Sequence, residues 1–287
     1  MFTLQDAAVA FGTKEAYRIV LSGIDLSITE GEFVALAGRN GSGKSTLLRV
    51  LGGLVPLSRG TAENRLSAEG NGTARIVLQN PDTQLIGETV YDDLDFSLSA
   101  AGLEPEEADA RIREALSAVG LERLAHAPVS RLSGGQKQLA VIAQALSVRP
   151  AALLLDEPTA MLDPSARRAV LETIKTAHAR GVTIIWATQF SEEIGEAERV
   201  VALEQGRIAF DGKPAHFLYG PAEEDAWAKA AAAPCEQLGY QPPYAVRVMR
   251  ELKRLGFADD LRLEELPVTE AQLLKVVAER CRSRSKV

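Results

Sequence analysis

One nine-residue run, Gly38-Arg39-Asn40-Gly41-Ser42-Gly43-Lys44-Ser45-Thr46, constrains this chain more than any other part of it. It fits G-x-x-x-x-G-K-[ST]. A short apolar run, Phe33 to Ala37, precedes it, and an apolar segment of helical character, Leu47 to Leu54, follows. Strand, loop and helix in that order are the setting in which such a run cradles phosphate. The glycines let the backbone wrap the phosphates, so that N–H groups and the next helix N-terminus face the negative charge. Lys44 is then placed to reach the β- and γ-phosphates of a nucleoside triphosphate, and Ser45 to ligate Mg²⁺. A glycine-rich turn with a chance lysine would need neither flanking element.

Two further apolar runs, Ala151 to Leu155 and Val182 to Ala187, read as strands buried on both faces of a parallel sheet. The first ends in Leu155-Asp156-Glu157, which delivers two acidic groups to the C-terminal edge of the strand, where open α/β sheets bind ligands. Asp156 is assigned to Mg²⁺ and Glu157 to the attacking water, because phosphoryl transfer depends on positioning and electrostatics. An acidic pair after a strand is by itself more often a helix cap; the phosphate loop in the same chain raises it above that.

Leu132-Ser133-Gly134-Gly135-Gln136 precedes a helical stretch, Gln138 to Leu146. Bare N–H groups and the helix dipole make this a second anion site. The chain already has one phosphate loop, so the second site most sensibly serves the γ-phosphate held by a partner chain. Standing alone, the pentapeptide would be an ordinary serine N-cap.

The net charge of −7 has the wrong sign for a protein that grips nucleic acid by its phosphates. The longest apolar runs fall far below the ~20 residues of a membrane-spanning helix. Met1 to Ala10 has no basic patch before an apolar stretch, and reads as a first strand rather than a signal peptide. Cys235 and Cys281 lack ligand-spaced neighbours, which argues against zinc or a disulfide framework.

Elsewhere, Arg75 to Leu78 reads as a strand ending at Gln79, and residues 89–120 turn to helical spacing. Asp163-Pro164 opens a helix that ends near Gly181. Val200 to Leu203 and Arg207 to Phe210 flank Gln205-Gly206 as a hairpin. Residues 213–287 carry helical segments, proline breaks, an alanine-rich patch at Ala226 to Ala233, and a capping box, Thr269 to Gln272. The basic end, Arg280, Arg282, Arg284 and Lys286, reads as a solvated terminus.

With these motifs the chain resembles the ATP-binding cassette (ABC) ATPases from Met1 to about Gly212. The resemblance implies an α/β P-loop NTPase cassette: a RecA-like core, an antiparallel β subdomain, a helical subdomain at about 85–150, and a small C-terminal helical extension at 213–287. It implies ATP and Mg²⁺ as ligands. Gln79 is similar to the family's glutamine that senses Mg²⁺ and couples to the transmembrane partner, and Asp163 to the aspartate of the loop that crosses the dimer interface. Gln79-Asn80-Pro81-Asp82-Thr83-Gln84 with Glu88-Thr89-Val90 and Asp92 to Phe96 resembles the energy-coupling-factor ATPases, which drive import of vitamins or transition-metal ions. That subfamily implies a transmembrane coupling subunit, a substrate-binding membrane subunit and a second ATPase subunit, identical or paralogous. It also implies a place on the cytoplasmic face of the membrane, with Pro81 to Phe96 as the docking region and residues 213–287 as a dimerisation region.

Departures from the pattern matter as well. Gln189 stands where the family has its switch histidine; it can hydrogen-bond a γ-phosphate but carries no proton or charge. Slower hydrolysis is expected, with Glu157 keeping the ATPase active. Thr13 stands at the family's adenine-stacking position, with Phe11 and Tyr17 nearby, and Leu139 replaces a common arginine. A soluble single-cassette assembly scaffold and a non-hydrolysing, ATP-binding regulatory partner are the alternative readings.

Overall fold

The computed structural model describes residues 1–13, 16–65, 73–220, 232–257 and 261–284. In chain order its elements are β1 (Phe2–Thr13), β2 (Ala16–Ile28), β3 (Phe33–Gly38), α1 (Lys44–Leu51), β4 (Arg59–Asn64), β5 (Ala74–Val77), α2 (Val90–Ala100), α3 (Pro105–Val119) and α4 (Gly134–Ser147). Then follow β6 (Ala152–Asp156), α5 (Pro164–Ala179), β7 (Thr183–Ala187), α6 (Ser191–Ile194), β8 (Arg199–Glu204), β9 (Arg207–Gly212), α7 (Pro214–Tyr219), α8 (Pro234–Gln237), α9 (Tyr244–Arg254) and α10 (Glu270–Arg284). By their contacts these residues form two compact units. One is Met1–Phe33 with Lys44–Ala187; the other is Val34–Gly43 with the described residues from Thr188 on.

In the first unit, β6 and β7 are buried at every position, which is what their unbroken apolar runs require of parallel strands covered on both faces. β5 pairs in parallel with β6, and β6 with β7, so that Val77 lies beside Leu155 and Leu155 beside Trp186. Their C-terminal ends therefore share one edge, and that edge carries Gln79, Asp156 and Glu157. A separate antiparallel sheet, in the order β2-β1-β4, lies in the same unit. The helical spacing of residues 89–120 resolves into two helices, because Ala101 to Glu104 leave the helix and Pro105 restarts it at a first position that needs no N–H. α2, α3 and α4 pack on one another, and Leu94, Leu98, Ile112, Leu116, Val141 and Ile142 on them are buried; each such side chain contributes about 1.5–3 kcal/mol relative to exposure.

In the second unit, the Val34–Gly38 part of β3 pairs in parallel with β8, and β8 turns back through Gln205-Gly206 to pair antiparallel with β9. The described residues beyond Gly212 form helices and no strand. The Thr269 box is present: Gln272 N–H donates to Thr269 Oγ1 (3.3 Å), and the Gln272 side chain accepts from Thr269 N–H (3.3 Å). Most of the alanine-rich patch and the last residues, Lys286 among them, lie outside the described residues.

Cys235 is fully buried, and burial pushes its thiol up to about 11, whereas Cys281 is exposed. A thiolate is the reactive form. Native protein is therefore expected to take up one equivalent of a maleimide at pH 7, at Cys281, and a second only in denaturant; mass spectrometry of the labelled peptides checks this.

Candidate functional site

The phosphate loop leaves β3 at Gly38, whose φ of +146° and close neighbours exclude a side chain: a Cβ would overlap Ser42 Oγ and come within 2.6 Å of the Leu203 carbonyl oxygen. Arg39, Asn40 and Gly41 are exposed, Ser42 is buried, and Gly43 is half-buried. Lys44 opens α1, with Ser45 and Thr46 in its first turn. The N-terminal turn of a helix points its N–H groups, and the positive end of its dipole, toward an anion there.

At the edge of β6 two pairs form. Lys44 Nζ lies 3.3 Å from Glu157 Oε1, with side chains only 4% and 12% exposed. Ser45 Oγ donates to Asp156 Oδ1 at 2.8 Å. Asp156 is buried, and its carboxyl is raised above the ordinary range by that burial, opposed by the hydrogen bond from Ser45 and the charge of Arg49. A carboxylate held in this state is under-compensated in charge. Two hard oxygen ligands side by side, one of them such a carboxylate, fit Mg²⁺, which binds through one or two protein oxygens plus phosphates and water.

Glu157 takes φ +48°, a left-handed conformation that costs a residue other than glycine on the order of 1 kcal/mol or more. Its N–H donates to the Ala187 carbonyl (3.0 Å), and its carbonyl accepts from Ala160 N–H (3.1 Å). The turn after β6 thus holds the strained residue in place. Gln79 lies two residues beyond β5 on the same sheet edge, exposed.

Ser133 caps α4 reciprocally: its N–H donates to Gln136 Oε1 (2.9 Å), and its Oγ accepts from Gln136 N–H (3.2 Å). Ser133 and Gly134 are exposed, and a Cβ at Gly135 would press on Ala166 in the first turn of α5. Asp163 caps α5 by accepting from Ser165 and Ala166 N–H (2.9 and 3.0 Å). Gln189 is exposed in the second unit, directly after the buried Thr188. Phe11 and Tyr17 are both exposed, and the Thr13 side chain lies outside the described residues.

Two ties had no local signature in the sequence. Lys137 on α4 pairs with Asp82 (2.6 Å). Buried Asp93 accepts from Ile86 and Gly87 N–H (2.8 and 3.0 Å) and from the Gln144 side chain (2.6 Å). Both fasten the segment after Gln79 to the helix that Ser133 caps, and both join residues some fifty positions apart. Residues 81–96 present Ile86 and Phe96 to solvent. Among the described residues, no helix is long and apolar enough to cross a membrane.

A family model described as ABC transporter matches residues 21–160. The energy-coupling factor transporter ATP-binding protein EcfA1 of Halalkalibacterium halodurans is 40% identical over 258 residues, 86% of this chain and 89% of the relative. Among solved structures, cbiO1 from Clostridium perfringens, described as part of the ABC transporter complex cbiONQ, matches with a TM-score of 0.65 and 31% identity over 74% of this chain and 88% of that one. The ATP-binding cassette MJ0796, solved as a dimer in a post-hydrolysis state with ADP and Pi, matches with a TM-score of 0.66 and 28% identity over 75% of this chain and 99% of that one.

Proposed function

The chain belongs to the ABC transporter family of ATP-binding cassettes, and from that premise we propose that it is the ATP-hydrolysing subunit of an energy-coupling-factor importer for a transition-metal ion or vitamin. The observation that carries the ATP-hydrolysing part of the reading is the apposition of Lys44 with Glu157 and Ser45 with Asp156 at one sheet edge; the likeness to EcfA1 supports the importer part. The phosphate loop receives the triphosphate, and Lys44 exchanges its carboxylate partner for phosphate oxygens. Glu157, released by that exchange, faces the water that attacks the γ-phosphate. Ser45 and Asp156, with Gln79 at the same edge, would hold Mg²⁺, which supplies charge neutralisation across the phosphate oxygens. The exposed Ser133-Gly134 turn completes the site of a second cassette, so that ATP closes the pair by binding the closed state better than the open one.

Ile86 and Phe96 give the docking region, Pro81 to Phe96, two exposed apolar side chains for a transmembrane subunit. Association is peripheral, at the cytoplasmic face of the membrane. The cassette spans 1–212, with its helical subdomain at about 85–150, and the extension at 213–287 serves dimerisation. A tagged full chain is expected to bring down integral membrane proteins and a second cassette; capture of only soluble assembly proteins would reject the importer reading. Gln189→His should raise the turnover of the purified complex, since it restores a side chain that can carry a proton. Unchanged or lower phosphate release would count against a role for Gln189 at the γ-phosphate.

A further inference from the structure

The tail beyond Gly212 reaches the phosphate loop within the second unit. Tyr240, 9% exposed, accepts a hydrogen bond at its hydroxyl from Gly38 N–H (2.7 Å). The single hydroxyl proton faces two carbonyls, those of Gly38 (3.0 Å) and Thr188 (3.2 Å). Gly38 is the first residue of the phosphate loop, and Thr188 immediately precedes Gln189. One phenol therefore ties together the entrance of the loop and the turn that carries the γ-phosphate candidate.

A second bond runs beside it: Arg39 Nε donates to the Leu238 carbonyl (3.2 Å). Gly239, between Leu238 and Tyr240, has φ +79°, which favours glycine, and a Cβ there would push the Arg39 guanidinium out of its present place. The Tyr240 ring is held edge-on to Phe217, with ring centroids 6.1 Å apart, and its N–H donates to the Cys235 carbonyl (2.8 Å). The ring and backbone of Tyr240 are thus anchored on α7 and α8, and its hydroxyl on the loop.

A phenylalanine would fill the same space. What the hydroxyl adds is a fixed relation between two backbone segments, and phosphoryl transfer is catalysed mainly by such positioning. We infer that Tyr240 is a positioning residue for ATP hydrolysis, through which the C-terminal helical region sets the geometry of the phosphate-loop entrance and of Gln189. This inference rests on the nucleotide-site reading given above.

The test compares Tyr240→Phe, Arg39→Ala and Lys44→Ala with the unaltered full chain, each purified with its membrane partners and assayed with Mg·ATP. Misplacement of reacting groups by about 1 Å costs on the order of 10²-fold, and loss of one of two tethers is expected to give part of it: kcat about tenfold lower for Tyr240→Phe, with KM for ATP within about twofold. Arg39→Ala is expected to show the same split more weakly, and it reads the tether even if Tyr240→Phe does not fold. A purely structural tyrosine would lower the melting temperature and leave kcat unchanged well below it; that result in Tyr240→Phe, or an unchanged kcat in a folded Arg39→Ala when Tyr240→Phe is unfolded, overturns the inference. If Lys44→Ala binds ATP normally, the site reading itself fails and the inference falls with it. If Lys44→Ala loses ATP while Tyr240→Phe hydrolyses normally, only the role of Tyr240 is wrong.

Discussion

Glu157→Gln is expected to bind Mg·ATP at least as tightly as the unaltered chain and to release phosphate about 10²–10⁴ times more slowly, the range over which a positioned acid–base group contributes. The two halves of this expectation have separate causes. Turnover falls because an amide cannot take a proton from water, whereas the carboxylate at the end of β6 can. Affinity holds or rises because Lys44 is paired with Glu157 at 3.3 Å, with the two side chains 4% and 12% exposed. Phosphate must displace that pairing, and the neutral amide competes for Lys44 less well. Isothermal titration with Mg·ATP and a phosphate-release assay on the same preparation separate the two. Phosphate release at the unaltered rate would remove Glu157 from its role.

Lys44→Ala carries the second large effect. Hydrogen bonds to charged groups contribute about 1.5–3 kcal/mol each. Losing two of them at the β- and γ-phosphates costs at least about 3 kcal/mol, or roughly 10²-fold in ATP affinity. The same substitution removes the Lys44 ammonium from beside Glu157, 12% exposed. Removing one partner of a buried pair typically costs about 3–5 kcal/mol, so the nucleotide-free variant should also melt at a lower temperature. Mg·ATP should restore little of that loss, although it stabilises the unaltered chain through binding to the folded state. Thermal melts with and without Mg·ATP check both. A variant that melts like the parent and is equally stabilised by nucleotide would show that the 3.3 Å pair contributes nothing to either process.

The parts legible in the sequence were those whose cause is local. A backbone that wraps phosphate needs glycines at fixed offsets, so Gly38 to Thr46 could be read without knowing the rest of the fold. The unbroken apolar runs before Asp156 and at 182–187 named their strands, because burial on both faces leaves no alternation. Asp163 and Ser133 were legible as caps, since the bond a cap makes spans only two or three residues.

Elements whose cause is distant were not legible. β4, Arg59 to Asn64, is exposed at every position and exists because β1 offers it backbone partners; side-chain pattern carries no trace of such pairing. β2 alternates between buried and exposed positions only in its second half. Gln79 was named through resemblance, whereas Asp93, which pins the turn after it, reads locally as one of several acids on α2. Tyr240 meets Gly38 across 202 residues, and a lone tyrosine between Gly239 and Gln241 announces nothing of that contact.

The central claim is that each ATP is completed by two chains. A structure of the Glu157→Gln chain with Mg·ATP, in its assembled form, measures it most directly. The expected result is a paired cassette in which Ser133 Oγ or the Gly134–Gly135 backbone N–H of one protomer lies at about 3 Å, hydrogen-bond distance, from a γ-phosphate oxygen held by the Lys44 loop of the other. A nucleotide whose γ-phosphate meets solvent, with the Ser133 turn facing away from it in every interface, would contradict the claim.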